Sequence, residues 1–172
     1  VIDYLHVSIP EQRLYAFANR QLKKTYRVST AANGPGEDNG SGCTPRGLHY
    51  IRAKIGGELP AMAVLRGRRW TGEIWTPELH QQYPERDWIL SRILWLSGCE
   101  YGRNRMGDTD TFRRYIYLHG TADEGLIGLP YSRGCIRMNN QDIIGLYEQL
   151  AEACPVEISE HLTKAQILQK HT

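Results

Sequence analysis

The sequence has no run approaching the ~18 to 20 apolar residues that a membrane-spanning helix requires, so a helical membrane protein is excluded. It has little net charge. Its 21 Lys and Arg against 19 Asp and Glu leave a formal +2, without the concentrated basic excess of a nucleic-acid binder, and no nucleic-acid partner is expected. Its four cysteines, Cys43, Cys99, Cys135 and Cys154, form no C-x-x-C pair and stand at no zinc-like spacing with histidine. They are also too sparse for the disulfide framework of a small secreted domain, and no metal or cofactor is expected. Repeats and low-complexity tracts are absent. What is present, 172 residues of which 41% are hydrophobic and 23% charged, suits one ordered domain with a core of its own.

The patterning is mainly β. Leu5, Val7 and Ile9 alternate with polar neighbours, as do Tyr26 and Val28, and Asn19-Arg20 between them reads as a turn. Residues 32–42 gather turn formers into an exposed loop. Strand patterning resumes over Tyr50–Ile55 and over Arg113 to His119, placing His119 at a strand's end, while Asp87 to Leu96 fits a helix or a buried strand about equally and is read as a strand, stopped by Gly98. In the stretch from Trp75 to Trp88, Thr76-Pro77 reads as an N-cap followed by Pro at the first helical position, opening a short helix or lid over a cleft. Helices are expected over Gln141–Ala153, capped by Asn139 or Asn140 and stopped by Pro155, and from Thr163, where Gln166 completes a capping box.

The chemistry concentrates in Tyr117-Leu118-His119-Gly120-Thr121 and Ser132-Arg133-Gly134-Cys135-Ile136-Arg137-Met138, where a His and a Cys lie 135 − 119 = 16 residues apart, each beside glycine. A free thiol is only a few per cent thiolate at neutral pH, and a close imidazolium is the usual way to lower its pKa. Gly134 can take a strained turn that lets substrate reach the backbone, and the N–H groups of Gly134 and Cys135 can form an oxyanion hole. Gly120 can turn the chain back and offer its carbonyl to orient the imidazole. The bland alternative is a buried cysteine and a satisfied strand histidine. Cys43, Cys99 and Cys154, together with His6, His49, His80, His161 and His171, are read as structural. Ser132 is not a hydrolase nucleophile, because G-x-S-x-G would need glycine where Pro130 stands.

These residues resemble the L,D-transpeptidase catalytic domain, the YkuD family. The resemblance rests on His119-Gly120-Thr121, the 16-residue gap, Ser132 to Met138 with Asp142, and Thr44-Pro45-Arg46-Gly47, which is similar to that family's T-P-x-G strand motif. It spans roughly residues 1–155, with 156–172 expected as a strand and helix packed on the same domain. The resemblance implies a β-sandwich of mixed strands with one or two helices in the C-terminal third. It also implies a thioester on Cys135 that expels D-alanine from meso-diaminopimelate in a peptidoglycan tetrapeptide. His119 would be the base, Gly120 the orienting carbonyl, Gly134 and Cys135 the oxyanion hole, and Arg137, Ser132 and Arg133 the substrate contacts. Arg137 is equally well explained by an ion pair with Asp142. Two departures from the family pattern are Arg133, where His is common, and His49, where an aromatic residue is usual.

Release of the acyl group to water gives an L,D-carboxypeptidase acting on soluble muropeptides, and release to an amine gives a 3-3 cross-link. Val1 to Ile9 reads as a strand rather than a secretory signal, so the expectation is a cytoplasmic carboxypeptidase, or a periplasmic protein if a leader before Val1 was removed. A third reading is a silent wall-peptide binding module, against which the intact His, Gly and Cys set argues. Oligomeric state has no signature in the sequence.

Overall fold

The alternating N-terminal segments fold as a meander of β1 (Tyr4–Ser8), β2 (Arg13–Ala18) and β3 (Gln21–Ser29) in a computed structural model that describes residues 1–172. Asn19 and Arg20 join β2 to β3 with φ of 50° and 63°, the left-handed pair of a tight hairpin turn. The chain continues through β4 (Gly47–Ile55), β5 (Ala63–Arg66), β6 (Arg69–Ile74), α1 (Pro77–Gln82), β7 (Ile89–Gly98) and β8 (Tyr117–Thr121). It ends with β9 (Ile136–Met138), α2 (Asn140–Gln149), β10 (Pro155–Ser159) and α3 (Lys164–His171). Mainly β with helices late in the chain is the architecture expected.

The ten strands form one mixed sheet in the order β4-β10-β1-β2-β3-β9-β8-β7-β5-β6. Only β1–β10 and β8–β9 run parallel. The long strand β7 closes the sheet on itself, because Ile93 to Gly98 pair with β4 while Ile89 and Leu90 pair with β5. The change of partner coincides with a bulge after Leu90, where Ser91 has φ of 71°. Closure leaves few edges and encloses a core. Leu5 and Val7 of β1, Leu14 of β2, Leu94 and Leu96 of β7, Leu118 of β8 and Ile136 and Met138 of β9 point inward, and α2 adds Ile143 and Leu146. The opposite faces of β1 and β2 carry His6, Tyr15 and Phe17, and α3 covers Tyr15 and Phe17 with Ile167.

Several expectations need correction. The strand anticipated over Arg113 to His119 begins only at Tyr117, because Phe112 to Tyr115 form a turn in which Tyr115 adopts φ of 56°. His119 therefore lies inside β8, and Gly120 continues the strand instead of turning the chain back. The helix expected to reach Ala153 ends at Gln149, since Leu150 is extended and bridges to Ile2. The β5–β6 hairpin was not foreseen, because β6 buries almost nothing that periodicity can register. The short helix expected between Trp75 and Trp88 is α1, and this stretch lines a cavity through His80 and Pro84.

The caps stand as read. Thr76 Oγ1 accepts from the Leu79 N–H at 3.1 Å, Asn139 Oδ1 accepts from Gln141, and Thr163 with Gln166 forms both arms of a capping box. No helix is long and apolar enough to cross a membrane.

His49 is fully buried in β4, bonded between the Gly47 carbonyl at 3.0 Å and Thr111 Oγ1 at 2.9 Å. Burial pushes its pKa down from 6.5 to about 4. An unfolded chain therefore takes up a proton here below pH 6.5 that the folded chain refuses until about pH 4, so stability falls as pH drops through that window. The loss from His49 is of order 3 kcal/mol. Urea midpoints measured from pH 7 to 4.5 should fall steeply in the wild type and less steeply in His49→Gln.

Candidate active site

The parallel β8–β9 pair sets the site. His119 is the register partner of Arg137 and Leu118 that of Ile136, so alternation sends Leu118, Ile136 and Met138 to the core and Tyr117, His119, Cys135 and Arg137 to the opposite face. Cys135 is thus the diagonal neighbour of His119 across the pair, about 8 Å away between α-carbons on ideal strand spacing. Both line one cavity of about 260 Å³, together with Asp87, Tyr115 and the guanidinium groups of Arg68, Arg114, Arg133 and Arg137.

His119 is held in one tautomer. Its Nδ1 lies 2.6 Å from the Gly120 carbonyl oxygen, which can only accept, so Nδ1 carries the proton and Nε2 keeps its lone pair. Burial lowers the His119 pKa, opposed by the charge of Asp87 and by the Gly120 bond, so the ring is neutral at pH 7. Gly120 permits this anchor because it lacks a side chain. A Cβ there would stand 2.6 Å from the Leu90 carbonyl and collide with Asn140 Oδ1.

The thiol of Cys135 donates to the Tyr115 carbonyl and accepts from the Tyr117 N–H, both at 3.3 Å. Burial pushes its pKa up, aided by the charge of Asp87, while the Tyr117 amide, Arg137 and Arg114 pull it down. Burial thus favours a neutral thiol and a neutral imidazole over the thiolate and imidazolium pair, because desolvation disfavours both charged partners.

The turn before Cys135 is braced from two sides. Gly134 has φ of 130°, and its carbonyl accepts from Thr44 Oγ1 at 2.9 Å, while the same hydroxyl accepts from the Ala31 N–H. Thr44 of the T-P-x-G segment thereby fixes the conformation of the Cys turn from 90 residues away. Ser132, almost fully buried, donates to the Cys135 carbonyl at 2.5 Å and accepts from the Gly134 N–H at 3.1 Å. Of the two amides expected to form an oxyanion hole, that of Gly134 is committed to Ser132, whereas that of Cys135 has no partner within the chain.

Arg137 pairs with Asp87 at 3.1 Å and lies over the Tyr131 ring, its carbon 4.5 Å from the centroid. Asp87, not Asp142, is its partner. Asp142 sits instead in the first turn of α2. Arg133 is exposed and lines both the Cys135 cavity and a neighbouring one of about 220 Å³ lined also by Asp87, Asp123 and Tyr131. Sequence reasoning missed Asp87, Arg68 and Arg114, which no motif marks. Arg114 is half-buried and braced by the carbonyls of Gly36, Glu37 and Cys43. His49 and the other three cysteines lie outside this cavity, and all four cysteines are free.

The family model of the L,D-transpeptidase catalytic domain, YkuD, matches residues 2–158. The chain belongs to this family. Solved L,D-transpeptidases share its fold at low sequence identity. L,D-transpeptidase 3 from Mycobacterium tuberculosis superposes with a TM-score of 0.57 at 12% identity, covering 91% of this chain and 60% of that one. The Enterococcus faecium L,D-transpeptidase gives 0.55 at 12%, covering 92% and 50%. The transpeptidase LdtMt1, solved in complex with imipenem, gives 0.53 at 14%, covering 91% and 58%. The chain thus spans half to three-fifths of the length of these relatives. A comparison with curated protein sequences finds no match.

Proposed function

We propose that the protein is a cysteine acyl-transfer enzyme acting on anionic stem peptides of the peptidoglycan tetrapeptide class, with water as the favoured acceptor. The carrying observation is one cavity lined by Cys135, His119, four arginines and Asp87.

The Nε2 lone pair of His119 takes the thiol proton as Cys135 Sγ attacks the carbonyl of the diaminopimelate residue, and the sulfur–carbon bond forms. A neutral thiol and neutral imidazole carry out this transfer in the attacking step, so charge separates only where a carbonyl is ready to receive the electron pair. The free Cys135 N–H then stabilises the oxyanion. Collapse breaks the bond to D-alanine, whose nitrogen takes a proton from the imidazolium. In the second half, His119 takes a proton from water, the hydroxide attacks the thioester, and Sγ leaves with that proton to regenerate the thiol.

Arg133, exposed and without a carboxylate partner, is the residue best placed to hold a stem-peptide carboxylate, more so than Arg137, which Asp87 already engages. Ser132 braces the nucleophile turn, its hydroxyl bonding both the Cys135 carbonyl and the Gly134 N–H. The excess of guanidinium charge also favours water over a cross-linking amine, because such an amine arrives as an ammonium and is repelled. Incubation with soluble tetrapeptide should release D-alanine and leave tripeptide. Accumulation of cross-linked dimers without tripeptide would assign the amine as acceptor and overturn the hydrolytic reading.

A further inference from the structure

On the outer face of the sheet, away from the Cys135 cavity, three potential ligands converge from three elements. His6 of β1 and Glu157 of β10 are register partners in the parallel pair, and His171 ends α3. Their ligand atoms all lie within 4.8 Å of one another. His6 Nδ1 is 2.8 Å from His171 Nε2 and 3.9 Å from Glu157 Oε2. A tetrahedral ion with bonds of about 2.0 Å holds its ligand atoms about 3.3 Å apart, between these two distances. Small side-chain shifts would suffice.

We infer that His6, Glu157 and His171 bind one divalent transition-metal ion, zinc first, which fastens α3 to β1 and β10. Two imidazole nitrogens and one carboxylate oxygen suit zinc and exclude magnesium and calcium, which take oxygen ligands. The ion replaces the single proton now shared between the two facing imidazole nitrogens. The outer ring nitrogen of His6 is already bonded to Ser159 Oγ at 2.7 Å, the second hydrogen bond by which metal-bound histidines are oriented. His171 stands at the helix C-terminus, where the backbone dipole favours positive charge.

Lys170 bonds Glu157 Oε2 at 2.6 Å and Tyr4 bonds Oε1, but an ionised carboxylate oxygen has a second lone pair to offer. A groove lined by Asp3, Tyr4, Lys170 and His171 reaches the cluster at His171, the side from which water would supply the fourth ligand. His6 and His171, read from the sequence as structural, thus acquire a ligand role that no local spacing announces, since 165 residues separate them.

Calorimetric titration of the metal-free chain with zinc chloride should give one equivalent of binding in the wild type and in Cys135→Ala. His171→Gln and Glu157→Gln should each weaken it about 100-fold while circular dichroism stays unchanged. One equivalent of zinc should raise Tm in the wild type and not in these two variants. Cobalt substitution should give the visible bands of a tetrahedral ion without thiolate charge transfer. Equal zinc affinity in wild type and His171→Gln, or cobalt bands carrying thiolate charge transfer, would overturn the assignment.

Discussion

Cys135→Ala should abolish release of D-alanine from tetrapeptide, a loss of about 10⁴-fold or more, because it removes the atom that forms the thioester. Cys43→Ala, Cys99→Ala and Cys154→Ala should leave turnover intact. The Cys43 thiol bonds the carbonyls of Asn33 and Ser41, Cys99 is exposed, Cys154 is buried in the core, and none of the three lines the cavity.

The neutral resting pair also fixes the pH profile. His119 titrates below its ordinary 6.5 and Cys135 above its ordinary 9, both because burial disfavours charge. The competent form, thiol with unprotonated imidazole, therefore persists across that whole interval, and kcat/KM should hold a plateau from pH 7 to 9 and fall only below pH 6.5. A profile that rises through pH 8 to 9 would instead report a thiolate formed before substrate binds. His119→Gln should lower the plateau by about 10² to 10⁴-fold.

The sequence made the local chemistry legible where one segment carries it. The His and Cys pair, the glycines beside them and the caps of α1 and α3 follow from residue type and short spacing. What sequence reading missed depends on closure of the sheet. Asp87 meets Arg137 across 50 residues, and Arg114 reaches the loop at Gly36 across 78. Neither contact leaves a periodic trace. Burial of Cys135 and His119, which disfavours charge on both, likewise depends on how β7, β8 and β9 pack together. The extent of β8 was misplaced because Tyr115, a β-forming residue, adopts a left-handed conformation that ends the turn and aims its carbonyl at the thiol. Tertiary contact overrode propensity there.

Gly120→Ala should destabilise the fold by about 3 to 5 kcal/mol and reduce turnover further than the folded fraction accounts for. The new methyl would stand 2.6 Å from the Leu90 carbonyl, a backbone atom of the neighbouring strand that cannot move alone. It would also strike Asn140 Oδ1. That amide accepts from Ser91 Oγ at 2.7 Å and donates through Nδ2 to the Thr121 carbonyl at 2.8 Å, so its displacement leaves buried polar groups at the β7 bulge and at the start of α2 unpaired. The excess loss of turnover arises because Gly120 supplies the carbonyl that fixes the His119 tautomer, and a shift of β8 away from β7 carries that carbonyl with it. Gly145→Ala is the matched control. A Cβ there meets nothing within 4 Å on a helical position, so that change should be neutral or stabilise by up to ~1 kcal/mol with turnover intact. Combining Gly120→Ala with Asn140→Gly removes the side-chain collision but not the one with Leu90, and the double variant should recover only part of the stability and little of the turnover. Wild-type urea midpoints and kcat in Gly120→Ala would show that the strand tolerates the methyl and that the anchor on His119 does not depend on it.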